Sequence, residues 1–228
     1  MNSSRKFLFG MVAAFTAATT VPAIAENSQL VSKTVAACQA TTDLATVTDS
    51  LIQIGWTPSV PASLDDREIQ SYAATYLVNH LGYGDYSNKR IASTWKLALK
   101  NAAGIRNLQI IDGSQKKDRW FVLEQSGSVL RIDSFAHETY GHIHCVLALK
   151  EEDSPVTFNR LLGDSGKDPN TLPPIYRLRP KSFESNGFER NLNAAVLNSE
   201  RISVASDYEV NVSSVYSTFT AKKPERSK

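Results

Sequence analysis

The stretch FAHETYGHIHCVLAL, residues 135–149, decides how this chain folds. It holds His137, His142 and His144, three of the four histidines, and Cys145, one of two cysteines. From His142 onward polar and apolar residues alternate. Successive side chains of a strand point to opposite faces. Ile143, Cys145, Leu147 and Leu149 therefore share one face, and His142, His144, Val146 and Ala148 the other. The first set predicts a core-facing strand with Cys145 directed inward.

The other cysteine lies on a helical pattern. Across Leu30–Ile54, Val31, Val35 and Cys38 fall on one face, and Leu44, Val47, Leu51 and Ile54 continue at three- and four-residue steps. Thr41-Thr42-Asp43 can cap a second segment. Gly55 ends the pattern, and Trp56 is expected to fold back over the helix end. A helix stripe and a strand face thus aim their cysteines at one core, which predicts a Cys38–Cys145 disulfide. It closes a loop of about a hundred residues, worth on the order of 4–5 kcal/mol in the chain-entropy model.

Toward the N-terminus, Arg5 and Lys6 precede an uncharged apolar segment, Phe7 to Ile24, that ends in Ala23-Ile24-Ala25 before Glu26. That is the pattern of a signal peptide cleaved after Ala25. Val35-Ala36-Ala37-Cys38 has the letters of a lipobox but stands too far from the apolar segment to serve as one. No later stretch is long enough to span a bilayer. The expected mature segment, Glu26–Lys228, carries equal numbers of basic and acidic residues, which argues against a nucleic-acid or membrane-surface partner. A periplasmic or secreted location fits a paired-cysteine chain.

Pro61 to Leu81 reads as a helix. Ser63 and Asp66 stand at capping-box spacing, Ile69, Tyr72, Ala73, Tyr76 and Leu77 form its stripe, and Gly82 stops it. A further helix covers Asn88–Ala103, with Ile91, Trp95, Ala98 and Leu99 inward. The period then changes. Leu108–Ile111 is a short strand. Arg119–Gln125 and Ser128–Phe135 form a hairpin around a two-residue Ser126-Gly127 turn, which sets Leu123 opposite Leu130 and Phe121 opposite Ile132. Ser154-Pro155 starts a short helix, and Gly163–Pro180, with four prolines, reads as a long loop. Asn193–Asn198, Arg201–Val212 and Ser214–Ala221 read as strands. Helices precede strands, so the expectation is α+β, with N-terminal helices packed on one face of a mostly antiparallel sheet. Residues 26–221 form a single domain, after a signal peptide at 1–25 and before a polar tail at 222–228.

Several motifs tempt and fail. Gly163-Asp164-Ser165-Gly166 matches the nucleophile loop of trypsin-like proteases, but only 20 residues separate His144 from Ser165. A triad shared between two barrels needs far more chain. All four histidines precede Ser165, which also conflicts with the esterases that begin their motif with Gly-Asp-Ser. Gly-x-Ser-x-Gly and the phosphate-binding Gly-Lys-Ser/Thr are absent. A hydrolase using Ser165, with the Gly163–Pro180 loop as a lid, is the weakest reading.

Metal binding is the sharper alternative. His142 and His144 point the same way from a strand, and a turn at Tyr140-Gly141 can return His137 or Glu138 as a third ligand to a transition metal. The zinc-protease His-Glu-x-x-His is not met, because Gly141 stands where its second histidine belongs. On a helix His137 and His142 would point about 140° apart. Arg177, Arg179 and Lys181 would line one face of an extended segment and suit an anion, although a solvated edge strand protected by charge and proline is the preferred account of them. No acid–base–nucleophile set passes these spacing tests. The leading expectation is an exported, non-enzymatic binding or accessory protein without a cofactor, whose partner is an envelope protein or a small ligand. A metal-binding protein or metal-dependent enzyme built on His137, Glu138, His142 and His144 is the alternative.

Overall fold

The computed structural model describes residues 23–81, 85–108, 115–137, 140–163 and 168–222. The cysteines of the first and central elements meet. Helix α1 (Ala23–Ala40) carries Cys38, strand β4 (Gly141–Lys150) carries Cys145, and the two are joined as a disulfide across 107 residues, both fully buried.

Helix α2 (Leu44–Ile54) begins at Asp43, whose carboxylate accepts from the Thr46 amide at 3.1 Å. It stops at Gly55, whose φ of +114° suits a residue without a Cβ. The chain doubles back as expected. Trp56 is buried, and its indole N–H donates to Thr34 Oγ1 on α1 at 2.9 Å.

Helix α3 (Asp66–His80) starts two residues later than the Ser63–Asp66 spacing implied. Pro61–Ser63 forms a single 3-10 turn instead. The real capping box is Asp65 with Glu68: the Asp65 carboxylate accepts from the Glu68 amide, and Glu68 accepts from the Asp65 amide, both at 2.8 Å. Helix α4 (Asn88–Gly104), capped by Ser87, buries Ile91, Trp95, Ala98 and Ala102.

The sheet is antiparallel throughout. Its strands are β1 (Thr57–Ser59), β2 (Lys116–Leu123), β3 (Ser128–Ala136), β4, β5 (Ile175–Arg177), β6 (Lys181–Ser185), β7 (Phe188–Leu197) and β8 (Val212–Lys222). Their order in space is β1-β2-β3-β4-β8-β7-β5, with β6 also pairing β7. The last strand is therefore inserted in the middle, between β4 and β7.

The β2–β3 hairpin has the expected faces but not the expected register. Phe121 pairs with Leu130 and Leu123 with Ser128, because Glu124–Gly127 makes a four-residue turn closed by Gly127 N–H donating to the Leu123 carbonyl at 2.8 Å. A slip of two residues leaves each side chain on its face. The stretch 201–212 is a second correction. Its first half is helix α6 (Ser199–Ser206), initiated by Asn198, whose side chain accepts from the Arg201 amide. Ile202 is buried from this helix into the core. A short helix, α5 (Phe158–Leu162), follows the Ser154-Pro155 pair, capped by Thr157.

Helices cover the sheet in two layers. Helices α1 and α2 press Val31, Cys38, Val47 and Leu51 onto Phe121, Leu130, Ile132, Ile143, Cys145 and Leu147. On the opposite face α3, α4 and α6 bury Tyr72, Leu77, Ile91, Trp95 and Ile202 against Trp120, Val129, Ala148 and Val215. Both faces of the central strands are thus buried along much of their length. No helix among the described residues is long and apolar enough to cross a membrane.

Candidate functional site

The second layer is incomplete, and the gap lies over the histidine face of β4. Antiparallel register builds the floor row by row. Val146 on β4 pairs with Ser217 on β8, which pairs with Asn193 on β7. Two residues along, His144 pairs with Phe219 and Phe219 with Asn191. On its other side His144 pairs with Asp133 of β3. Helix α3 ends over the first of these rows. A cleft of about 540 Å³ opens between its last turns, contributing Thr75, Val78 and Asn79, and the sheet, contributing His144, Val146, Asn193, Val215 and Ser217. Arg177, Leu178 and Pro180 form the far wall.

The cleft has an apolar floor and a polar rim. Val146, Val215 and Ala195 give the floor its character. His144 Nε2 and Ser217 Oγ lie 2.9 Å apart, a hydrogen bond between residues 73 apart in sequence. Burial favours the neutral imidazole and lowers the His144 pKa, against an opposing pull from the Asp133 carboxylate. Arg177 is spent on the fold: its Nη2 donates to the Val78 and Leu81 carbonyls, at 2.5 and 3.0 Å. These belong to the C-terminal turn of α3, where carbonyls lack helical partners and a cation is favoured.

Beside the cleft, Arg131 holds a charged network. Its Nη2 donates to Asp118 at 3.0 Å and approaches Asp133 at 3.6 Å, and Nη1 donates to the Tyr72 hydroxyl at 3.1 Å. Lys116 reaches Asp133 at 3.0 Å. Burial pushes the Tyr72 hydroxyl up to about 12, despite Arg131. Tyr72 is therefore a neutral donor and acceptor, with its ring edge-on to Trp120 at 4.7 Å.

The sequence-predicted residues part company here. His142 and His144 do share a face, but His142 sits among Phe135, Tyr140 and Phe219, with ring centroids 5.2–5.8 Å away. Its Nδ1 is buried and has no hydrogen-bond partner among the described residues. His137 is exposed in the turn, where its N–H donates to the Tyr140 carbonyl. Glu138 lies outside the described residues, as does Ser165. Among the described residues no group of three or more His, Cys, Asp or Glu is arranged to hold a metal ion. Arg177 lines the cleft, whereas Arg179 and Lys181 are exposed and do not.

Ser217, Asn193, Thr75 and Val78 carry no local signal in sequence. Only the insertion of β8 between β4 and β7 brings Ser217 to His144. Comparison with family models, with curated proteins and with solved structures found no significant match.

Proposed function

We propose that this chain is an exported, non-enzymatic binding protein, periplasmic or secreted, that holds a small polar ligand in the cleft between α3 and strands β4, β8 and β7. The carrying observation is the cleft itself: an apolar floor ringed by His144, Ser217, Asn193 and Asn79, in the volume range of small-molecule sites. The sequence supports export through the Ala23-Ile24-Ala25 pattern, and the Cys38–Cys145 disulfide is in keeping with an oxidising compartment. The charges beside the cleft, Arg131, Asp118, Asp133 and Lys116, are engaged with one another, which leaves hydrogen-bonding groups as the chemistry at the cleft rim.

Two measurements test the reading. Expression of the full chain with a C-terminal tag should give envelope or medium protein beginning at Glu26; a cytoplasmic product starting at Met1 would refute export. Ligand-observed NMR against a library of polar metabolites should find binders to the wild type that Asn193→Trp abolishes. Asn193 is exposed at the cleft rim, so the indole fills the space without entering the core. Binders unaffected by that variant, or none at all, would remove the cleft from consideration.

A further inference from the structure

The cleft lining ends at His144 and Ser217, and the same sheet face continues past them as a row of rings. Along the strands, the next row carries Phe219 between His142 and His144, at 5.2 and 6.4 Å between ring centroids. Beyond it stand His142 and Phe135, each half-buried, and Tyr140, which is exposed. Rows two residues apart are separated by roughly 6.6–6.8 Å, so pocket and ring row together make a track on the order of 14 Å long.

The chemistry of the track points away from charge. Arg177 donates to two carbonyls of α3, Arg131 is bound to Asp118 and Tyr72, and Asp133 is bridged by Lys116 and Arg131. Toward the opening the polar groups are two amides, Asn79 and Asn193, one hydroxyl, Ser217, and a neutral-favouring imidazole, His144. An extended peptide is disfavoured too. Strands β4, β8 and β7 are each paired on both sides, so the floor offers no backbone edge for an added strand. What remains is a ligand with many uncharged hydroxyls and apolar ring faces. Side-chain amides and hydroxyls can both donate to and accept from such hydroxyls, and an aromatic ring covers the apolar face of a sugar ring.

We propose that the cleft binds a neutral oligosaccharide, with one residue held by Ser217, Asn193 and His144 and the next laid against the Phe219 ring. This rests on the reading of the cleft as a ligand site. The test is saturation-transfer NMR and titration calorimetry on the full-length protein. The probes are cellotetraose, maltotetraose, mannotetraose and chitotetraose, with Ala-Ala and adenosine monophosphate alongside. At least one tetrasaccharide should bind, and Asn193→Ala and Phe219→Ala should each weaken it tenfold or more. Phe219→Leu, which keeps an apolar side chain but removes the flat ring, should weaken it comparably and covers the case in which the alanine variant does not fold. The proposal is overturned if no tetrasaccharide binds, or if binding survives these substitutions. If the dipeptide or nucleotide binds instead and Asn193→Trp blocks it, the sugar class falls while the cleft stands as a ligand site. If no probe binds, the sugar class falls, and the metabolite screen with Asn193→Trp decides whether the cleft stands.

Discussion

The two faces of the sheet are built from similar parts and end in different states. On the α1–α2 face, Leu130, Ile132, Ile143, Cys145 and Leu147 are all fully buried, and a covalent bond fastens the helix layer to the central strand. On the α3–α4–α6 face the same strands are sealed at one end, around Trp120, Val129 and Ala148, and left half open at the other, around His144, Ser217 and Phe219. One face is devoted to holding the molecule together. The other leaves part of its surface open, because the closed face and the sealed half of its own supply the core. The open half is therefore where substitution should change binding with little change in stability.

The largest expected effect breaks the closed face. Replacing both Cys38 and Cys145 with alanine should lower stability by about 4–5 kcal/mol if the chain-entropy account holds, read as the change in urea unfolding free energy. Next, Phe121→Ala, at a fully buried ring on the same face, should cost about 3–5 kcal/mol and lower the denaturation midpoint without moving the slope. A smaller effect belongs to the half-open face. His144 ionises at a lower pH in the native state than its ordinary 6.5, because burial outweighs the Asp133 carboxylate. Between those two values the unfolded chain binds more protons, so stability should fall as pH drops below about 6.5, and the loss should be complete below the native pKa. His144→Gln should flatten that part of the stability profile. The smallest effect sharpens the contrast: Asn193→Ala, at the exposed rim, should shift stability by less than about 0.5 kcal/mol. A large loss there would mean that the open face is structural after all.

Much of the closed face was legible in sequence, because it rests on periodicity. Val31, Cys38, Val47 and Leu51 repeat at helical steps, and Ile143, Cys145 and Leu147 alternate. Both patterns name the same buried surface, so the disulfide could be placed before the fold was known. Errors arose where a local signal had two solutions. Ser126-Gly127 suits a two-residue turn, but the backbone closes a four-residue one, and the faces survived because the slip was even. Residues 201–212 are rich in valine and serine and read as a strand. The overlooked signal was Asn198, a good N-cap, with Glu200 in the first turn, and burial of Ile202 against α4 and Val210 then decided for helix. Beyond His144 and Arg177, which the sequence singled out for other chemistry, the cleft was not legible. Thr75, Asn193 and Ser217 come from three elements widely separated in the chain, and nothing near any of them in sequence indicates the others.

The position of β8 has a consequence for how the molecule is made. Residues 116–150 form one meander and residues 175–197 a second patch, each assembled from near neighbours in sequence. Neither can join the other until Val212–Lys222 arrives between them, and until then β4 and β7 each present an unpaired edge. Completion thus waits on the most distant pairings in the molecule, which are slow to form. A nascent chain would have both halves of its sheet before it had a sheet, and the strand that carries Ser217 would unite the halves and finish the cleft in the same event.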